Sequence, residues 1–260
     1  MQDPMFDSLR SFWLALAGAT RGGSTLELPG VWAAIVPAMP DRSVVNCVGY
    51  EDVAQLDAAL GDLAAAYEGA GVAAFTVWVD SADREAQALL ADAGHVLDGA
   101  PMGQELDLAQ QVAWPPVAQQ GARPLVAPEL DLVESPTPAD FDPVIAAAYG
   151  WPGFGAAFDA FPPGFHSYLA RLDGRPASCL GIWDHDGDAH VQMVGTIPEA
   201  RGRGIASQLM RRALTDARER GCTVSRLQAT KMGQPVYSRL GYRDLRPVQM
   251  WERRNPAPAG

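Results

Sequence analysis

The chain is expected to adopt a mixed α/β (α+β) fold in which one structural plan occurs twice in tandem. Three observations carry this expectation. Each half spells strand-strand-helix-strand-helix-strand in its apolar periodicity. A stretch rich in Pro, Gln and Ala, with Trp114-Pro115-Pro116 and Arg123-Pro124, separates the halves without a period of its own. The last helix–strand joint of the first half, Ala93-Gly94-His95, has a counterpart in Leu240-Gly241-Tyr242. The expected boundaries are residues 1–112 for a first domain, 113–128 for a linker and 129–260 for a second domain. A length of 260 residues accommodates two such domains.

Taken in order, the opening run Phe12-Trp13-Leu14-Ala15-Leu16-Ala17-Gly18-Ala19 is short and apolar. Asp3 and Asp7 precede it and only Arg10 is basic, a poor start for a secretory signal, so an amphipathic opening helix is expected. Strands near 31–36 and 43–48 lead to a helix at 51–69, then a strand at 72–79, a helix at 82–93 and a strand at 101–107. In the second half a strand at 176–183 and one at 189–197 flank Asp186-Gly187, a dipeptide suited to a tight hairpin. Ile205, Leu209, Ala213, Leu214 and Ala217 recur at helical spacing and predict a helix over 203–220. A strand at 223–229, a helix at 233–240 with Pro235 in its first turn, and a strand at 243–251 complete the unit.

The composition, 48% hydrophobic and 20% charged, fits a globular chain with a real core. The net charge of −11 is unevenly spread: residues 1–125 carry 16 acidic against 5 basic side chains, whereas residues 126–260 carry 15 of each. Nucleic acid is therefore an unsuitable partner, although Arg201, Arg203, Arg211, Arg212, Arg218 and Arg220 cluster enough positive charge to attract a local anion. No apolar run reaches the ~20 residues that span a bilayer, so no membrane role is expected. Cys47, Cys179 and Cys222 lie far apart without metal or disulfide spacing, which points to reduced structural thiols in the cytoplasm.

The segment Arg201-Gly202-Arg203-Gly204-Ile205-Ala206, between a strand and a helix, carries the most chemistry. The first N–H groups of a helix have no partners within it, and the helix dipole favours negative charge there. Glycines let the backbone approach an anion closely, and arginines add charged donors. A phosphorylated ligand is expected at this turn. The corresponding stretch of the first half, Asn46-Cys47-Val48-Gly49-Tyr50-Glu51-Asp52, offers acidic side chains that would cap the helix and leave no room for an anion.

With this turn, the strand ending Thr196-Ile197-Pro198 and the downstream stretch Gly233-Gln234-Pro235-Val236-Tyr237-Ser238-Arg239-Leu240-Gly241-Tyr242, the second half resembles the GNAT family of acyl-CoA-dependent N-acetyltransferases. The first half resembles a degenerate copy of the same unit. The resemblance implies tandem GNAT-like domains, each with a mixed, mostly antiparallel central sheet flanked by helices. It also implies acetyl-CoA as co-substrate, without a metal. Its pyrophosphate would lie on Arg201, Gly202, Arg203, Gly204, Ile205 and Ala206, and its pantetheine arm would pair like a strand with the backbone of Val194 and Thr196. A neutral amine would attack directly, in a ternary complex, with Tyr237 as the acid for the leaving thiolate.

The base is open at this stage. His190 has a suitable ordinary pKa, Gln192 alternates to its face of the strand and could orient substrate, and Glu199 lies just after the strand. The Gly- and Pro-broken aromatic segment Tyr149-Gly150-Trp151-Pro152-Gly153-Phe154 and beyond either walls an acceptor pocket, through Trp151 and Phe154, or packs between the halves. Asp184-His185-Asp186-Gly187-Asp188 reads as a solvated hairpin rather than a metal site. The expected activity is N-acetyl transfer to a small amine or a peptide N-terminus. The alternative is a non-catalytic acyl-CoA-binding sensor or interaction module, which would keep the turn and dispense with Tyr237.

Overall fold

The computed structural model describes residues 3–110, 130–133 and 135–254; the expected linker, 113–128, lies outside the described residues. Two compact units emerge: Met1–Gly103 together with Arg246–Gly260, and Gln104–Leu245. The expected tandem of mixed, mostly antiparallel sheets flanked by helices is what the chain forms.

The first unit opens with helix α1 (Pro4–Ala19), capped by Asp3, whose carboxylate accepts from the Met5 N–H at 2.9 Å. Strands β1 (Ser24–Leu28), β2 (Val31–Ile35) and β3 (Cys47–Tyr50) form an antiparallel meander. Helix α2 (Val53–Gly69) then crosses over to β4 (Ala74–Asp80), which lies parallel to β3. Helix α3 (Arg84–Asp92) and strand β5 (Val96–Gly99) follow. The chain's last strand, β12 (Arg243–Arg254), completes this sheet, because Val248–Arg254 pair antiparallel with Asp80–Ala74. Its residues from Arg246 onward belong to the first unit, so the strand expected at 243–251 starts in one unit and finishes in the other. Leu56, Leu63 and Tyr67 of α2 and Leu90 of α3 bury against Val31, Phe75 and Val77. The Tyr67 hydroxyl donates within this core, with the Ala34 and Cys47 carbonyls both 3.1 Å away.

The second unit contains β6 (Met102–Asp107) from residue Gln104 onward, β7 (Asp131–Val133), α4 (Pro138–Tyr149), β8 (Phe165–Leu172), β9 (Arg175–His185), β10 (Asp188–Thr196), α5 (Ile205–Glu219), β11 (Val224–Ala229) and α6 (Gln234–Arg239). Its strands lie in the order β6-β11-β10-β9-β8-β7. The β9–β10 hairpin turns on Asp186 and Gly187, both with positive φ (47° and 77°), as a tight two-residue turn requires. Asp184 and Asp188 flank it in ion pairs with Arg220 and Arg226. Helix α4 covers the face of the sheet that carries Cys179 and Gly195, and α5 contacts the same strands. The opposite alternation places Tyr168 and Asp184 toward Arg220 at the end of α5, so the two helices sandwich the sheet.

The duplication is visible in how the helices end. At α2 and α5, Gly71 and Gly221 take positive φ, and the next residue's N–H reaches back five positions, Val72 to Tyr67 and Cys222 to Ala217. The joints after α3 and α6 repeat the device, with His95 bonded to Leu90 and Tyr242 to Tyr237. The helix starts differ. The Asp52 carboxylate accepts from the Ala54 and Gln55 N–H groups at 2.9 and 3.3 Å, so α2 caps itself. Asp52→Ala should cost about 1 kcal/mol of stability in a denaturant titration and leave ligand binding by the second unit unchanged.

Several elements were not anticipated. Helix α4 contains Pro143 and few polar punctuation marks, yet Thr137 and Asp140 form a reciprocal capping box and Phe141, Val144 and Ile145 give the helical spacing. Strands β1, β5, β7 and β8 were also missed. The first and second of these are short and largely exposed, so their apolar alternation is weak.

Candidate functional site

The site grows from a failure of pairing. β10 and β11 run parallel only over Asp188–His190 opposite Val224–Arg226. β10 stays paired with β9 as far as Thr196, with a register shift between Gln192 and Gly195. Met193 sits at the shift with φ 56°, rare for a residue with a long side chain. Beyond His190 one edge of β10 thus lacks a strand partner among the described residues. Gly195 suits the close approach of helix and strand at this point: a Cβ there would lie 3.2 Å from Val144 and 3.3 Å from Ala148 of α4, tighter than side chains ordinarily pack.

Backbone carbonyls without a strand partner need other donors, and side chains supply them. The Tyr149 hydroxyl donates to the Val194 carbonyl at 2.7 Å; where β10 stays paired with β9, Ser178 Oγ donates to the Gly195 carbonyl at 2.7 Å. Arg201 Nε donates to the Thr196 carbonyl at 3.1 Å, and Cys179 Sγ lies 3.6 Å from the Met193 carbonyl. The two carbonyls expected to meet an extended ligand, those of Val194 and Thr196, are therefore each held by a side chain.

Next along the chain, a 3-10 turn (Pro198–Ala200) leads into the glycine–arginine segment. Gly202 and Gly204 take φ of 72° and 76°, and Gly204 is the N-cap of α5. No side chain caps this helix and its first turn holds no acidic residue. Gln208 donates to the Gly204 carbonyl, which closes the first helical turn. The buried Ile205 anchors the helix start, Ala206 is half-buried, and Arg201, Gly202 and Arg203 are exposed. Bare N–H groups, a positive dipole end and flanking guanidinium groups are features that suit an anion. The start of α2 is self-capped instead.

Tyr237 lies on α6 at 7% exposure, its ring 6.0 Å from that of Tyr242. Gly233 makes room for it, since a Cβ there would come within 2.8 Å of the ring. Burial pushes the Tyr237 pKa upward, so the hydroxyl stays protonated at neutral pH. Burial raises the Tyr149 pKa, and the Tyr237 hydroxyl adds to the rise. Trp151 packs beside Tyr149 with ring centroids 5.3 Å apart.

The other expected residues are placed differently. His190 has 0% exposure, its Nε2 is 3.3 Å from Gln228 Oε1, and burial lowers its pKa. Gln192 is half-buried, with Nε2 enclosed and unpaired among the described residues. Phe154 is 1% exposed and packs against Phe158 at 5.0 Å, within the aromatic cluster under α4. Glu199 is exposed. Val194, Thr196, Arg201, Tyr149 and Tyr237 thus gather around the splayed strand, whereas His190 and Phe154 belong to the packed interior. Sequence reasoning named Tyr149 only as one of many aromatics. Its position as the last residue of a helix, just before Gly150, was the available signal.

Residues 132–242, which contain the splayed strand and the uncapped glycine–arginine helix start, match the Acetyltransferase (GNAT) family. Those residues form a GNAT domain. No curated protein sequence matches the chain at a significant level. Among solved structures, a GCN5-related N-acetyltransferase from Kribbella flavida is similar over 100% of this chain and 97% of its own, with a TM-score of 0.68 and 16% identity. A putative GNAT-family acetyltransferase from Novosphingobium aromaticivorans matches over 96% and 98%, with TM-score 0.56 and 16% identity. A tandem GNAT protein from the clavulanic acid biosynthesis pathway matches over 98% and 97%, with TM-score 0.56 and 14% identity. At these identities the likeness is one of fold, and it covers residues of both units. Among the described residues, no helix is long and apolar enough to cross a membrane.

Proposed function

We propose that the GNAT domain transfers an acetyl group from acetyl-CoA to a primary amine by direct attack within a ternary complex. The observation that carries this reading is the bare start of α5 directly downstream of the splayed β10. Such a start suits a pyrophosphate, and an unpaired strand edge suits an extended, amide-bearing arm. Gly202, Gly204 and the N–H groups through Ala206 would hold the phosphates, with Arg201 and Arg203 alongside. Val194 and Thr196 would hold the arm. Acetyl-CoA would supply the acyl group as a thioester.

Tyr237 would donate its proton to the departing thiolate, and burial keeps that proton in place until it is needed. Trp151 and Gln192 would line the acceptor side, where a small amine or a peptide N-terminus would enter. The free, buried cysteines fit a cytoplasmic setting.

His190, enclosed and bonded to Gln228, supports a packing role more than abstraction of the amine's proton. That one observation favours the second reading, a non-catalytic acyl-CoA-binding module. Thiol release from acetyl-CoA across a panel of amines separates the two, and a lack of release with every amine would favour the module. Tyr237→Phe should leave acetyl-CoA binding unchanged by calorimetry and lower kcat about a hundredfold. Undiminished turnover in that variant would remove Tyr237 from the mechanism.

A further inference from the structure

Tyr149 holds the place of a missing strand. It is the last residue of α4, and Gly150 ends the helix behind it in the left-handed conformation (φ 68°). Its hydroxyl donates to the Val194 carbonyl at 2.7 Å, at the register shift of β10 and beyond the last residue that β11 pairs. The residue is 38% exposed, so its ring reaches the protein surface. Its neighbour Gly195 carries no side chain between α4 and the strand, which eases the close approach of the helix that carries the tyrosine. A backbone carbonyl oxygen carries two lone pairs, and the Tyr149 hydroxyl already fills one of them here.

We propose that Tyr149 is a latch on the donor site: its hydroxyl occupies the Val194 carbonyl and must give way before an extended amide-bearing arm pairs there. This rests on the acyl-CoA reading given above. The arm's amide N–H would replace the phenol O–H at the same oxygen, one hydrogen bond exchanged for another. The freed ring, with Trp151 beside it, would then swing to the acceptor side, since Gly150 and Gly153 (φ 68° and 80°) bracket the tryptophan on conformations natural to glycine. Donor binding would in this way shape the wall against which the amine packs, and would favour the donor entering first. The hydroxyl acts on affinity and on order of binding. It takes no part in the proton transfers.

The test compares the full-length chain with Tyr149→Phe, using two probes in calorimetric titrations. Acetyl-CoA reaches both the phosphate turn and Val194, whereas adenosine 3′,5′-bisphosphate has no pantetheine arm and reaches the turn alone. Removing a latch that is worth one exposed hydrogen bond should tighten acetyl-CoA binding about three- to tenfold and leave bisphosphate binding unchanged. Trp151 fluorescence, isolated by subtracting a Trp151→Phe control, should change when acetyl-CoA binds and stay constant with the bisphosphate. Equal acetyl-CoA affinity in the two proteins overturns the latch, and weaker binding by Tyr149→Phe overturns it in favour of a direct ligand contact. A uniform shift for both probes also overturns it, because only one probe reaches Val194. If the unmodified chain binds neither probe, the acyl-CoA reading has failed and the latch falls with it. Matching thermal unfolding of the two proteins confirms that a change in affinity is not a change in fold.

Discussion

Gly204→Val abolishes acetyl-CoA binding, with an expected loss of more than about a hundredfold in affinity. Two effects add. The residue has φ 76°, a conformation that a β-branched side chain enters at a cost of order 1–3 kcal/mol. A branched side chain at the N-cap also projects at the mouth of the first helical turn, where the bare N–H groups would meet a phosphate. Calorimetric titration reads the loss directly, and a denaturant curve separates it from the destabilisation. Gly204→Ala, which carries less bulk and less strain, should fall between the two. Binding by Gly204→Val at the affinity of the unmodified chain would detach the turn from the ligand altogether. The Asp52 cap of the first unit supplies the internal comparison, since there the same helix start is closed by its own carboxylate, which accepts from the Ala54 and Gln55 N–H groups.

The second large effect is on stability and lies in the first unit. His95 is 4% exposed, and neither ring nitrogen has a hydrogen-bond partner among the described residues. Its ring meets Phe75 edge-on at 5.5 Å. Burial, helped by the charge of Arg253, lowers its pKa to about 4 from an ordinary 6.5. In the unfolded chain the imidazole takes up a proton as pH falls through about 6.5, while in the folded unit it stays neutral until about pH 4. Its contribution is therefore fully present above pH 6.5, declines across the window between these values and is exhausted below it. The expected loss is about 3 kcal/mol, from roughly 1.4 kcal/mol per pKa unit. Denaturant midpoints measured from pH 7 to pH 4 follow this loss, and His95→Leu should flatten it. An unchanged slope in His95→Leu would assign the acid sensitivity to other groups.

Much of the fold could be read from local pattern because the relevant interactions are local. The helix over 203–220 declares itself in Ile205, Leu209, Ala213, Leu214 and Ala217, the residues that α5 buries. Gly94 and Gly241 mark two helix ends because only a residue at ease with positive φ closes a helix in that way. The glycine–arginine turn and the acidic stretch of the first half were legible for the same reason, since a helix start is capped or left bare by residues within three positions of it. Helix α4 was harder to see. Its internal proline argues locally against a helix, and the packing of Phe141, Val144 and Ile145 overrides that argument.

The site divides along the same line. Arg201 to Ala206 and Tyr237 could be named from sequence because each belongs to a short, ordered motif. The enclosure of His190 could not: a histidine beginning a strand next to an Asp-Gly hairpin reads as exposed, and only the neighbouring β9 and β11 bury it. Phe154 similarly becomes core through Phe158 and Phe161, partners that spacing along the chain does not announce.

By itself, then, the sequence determined the repeated order of elements, the bare helix start in one copy and the capped start in the other, and the family of the second unit. These are properties of residues a few positions apart. The tertiary structure alone decided that the last strand returns to the first unit, that β10 parts from β11 after His190, and that Tyr149 reaches the Val194 carbonyl 45 residues away in the chain. Strand pairing and close helix–sheet approach join residues far apart along the chain, and no local periodicity encodes which of them will meet.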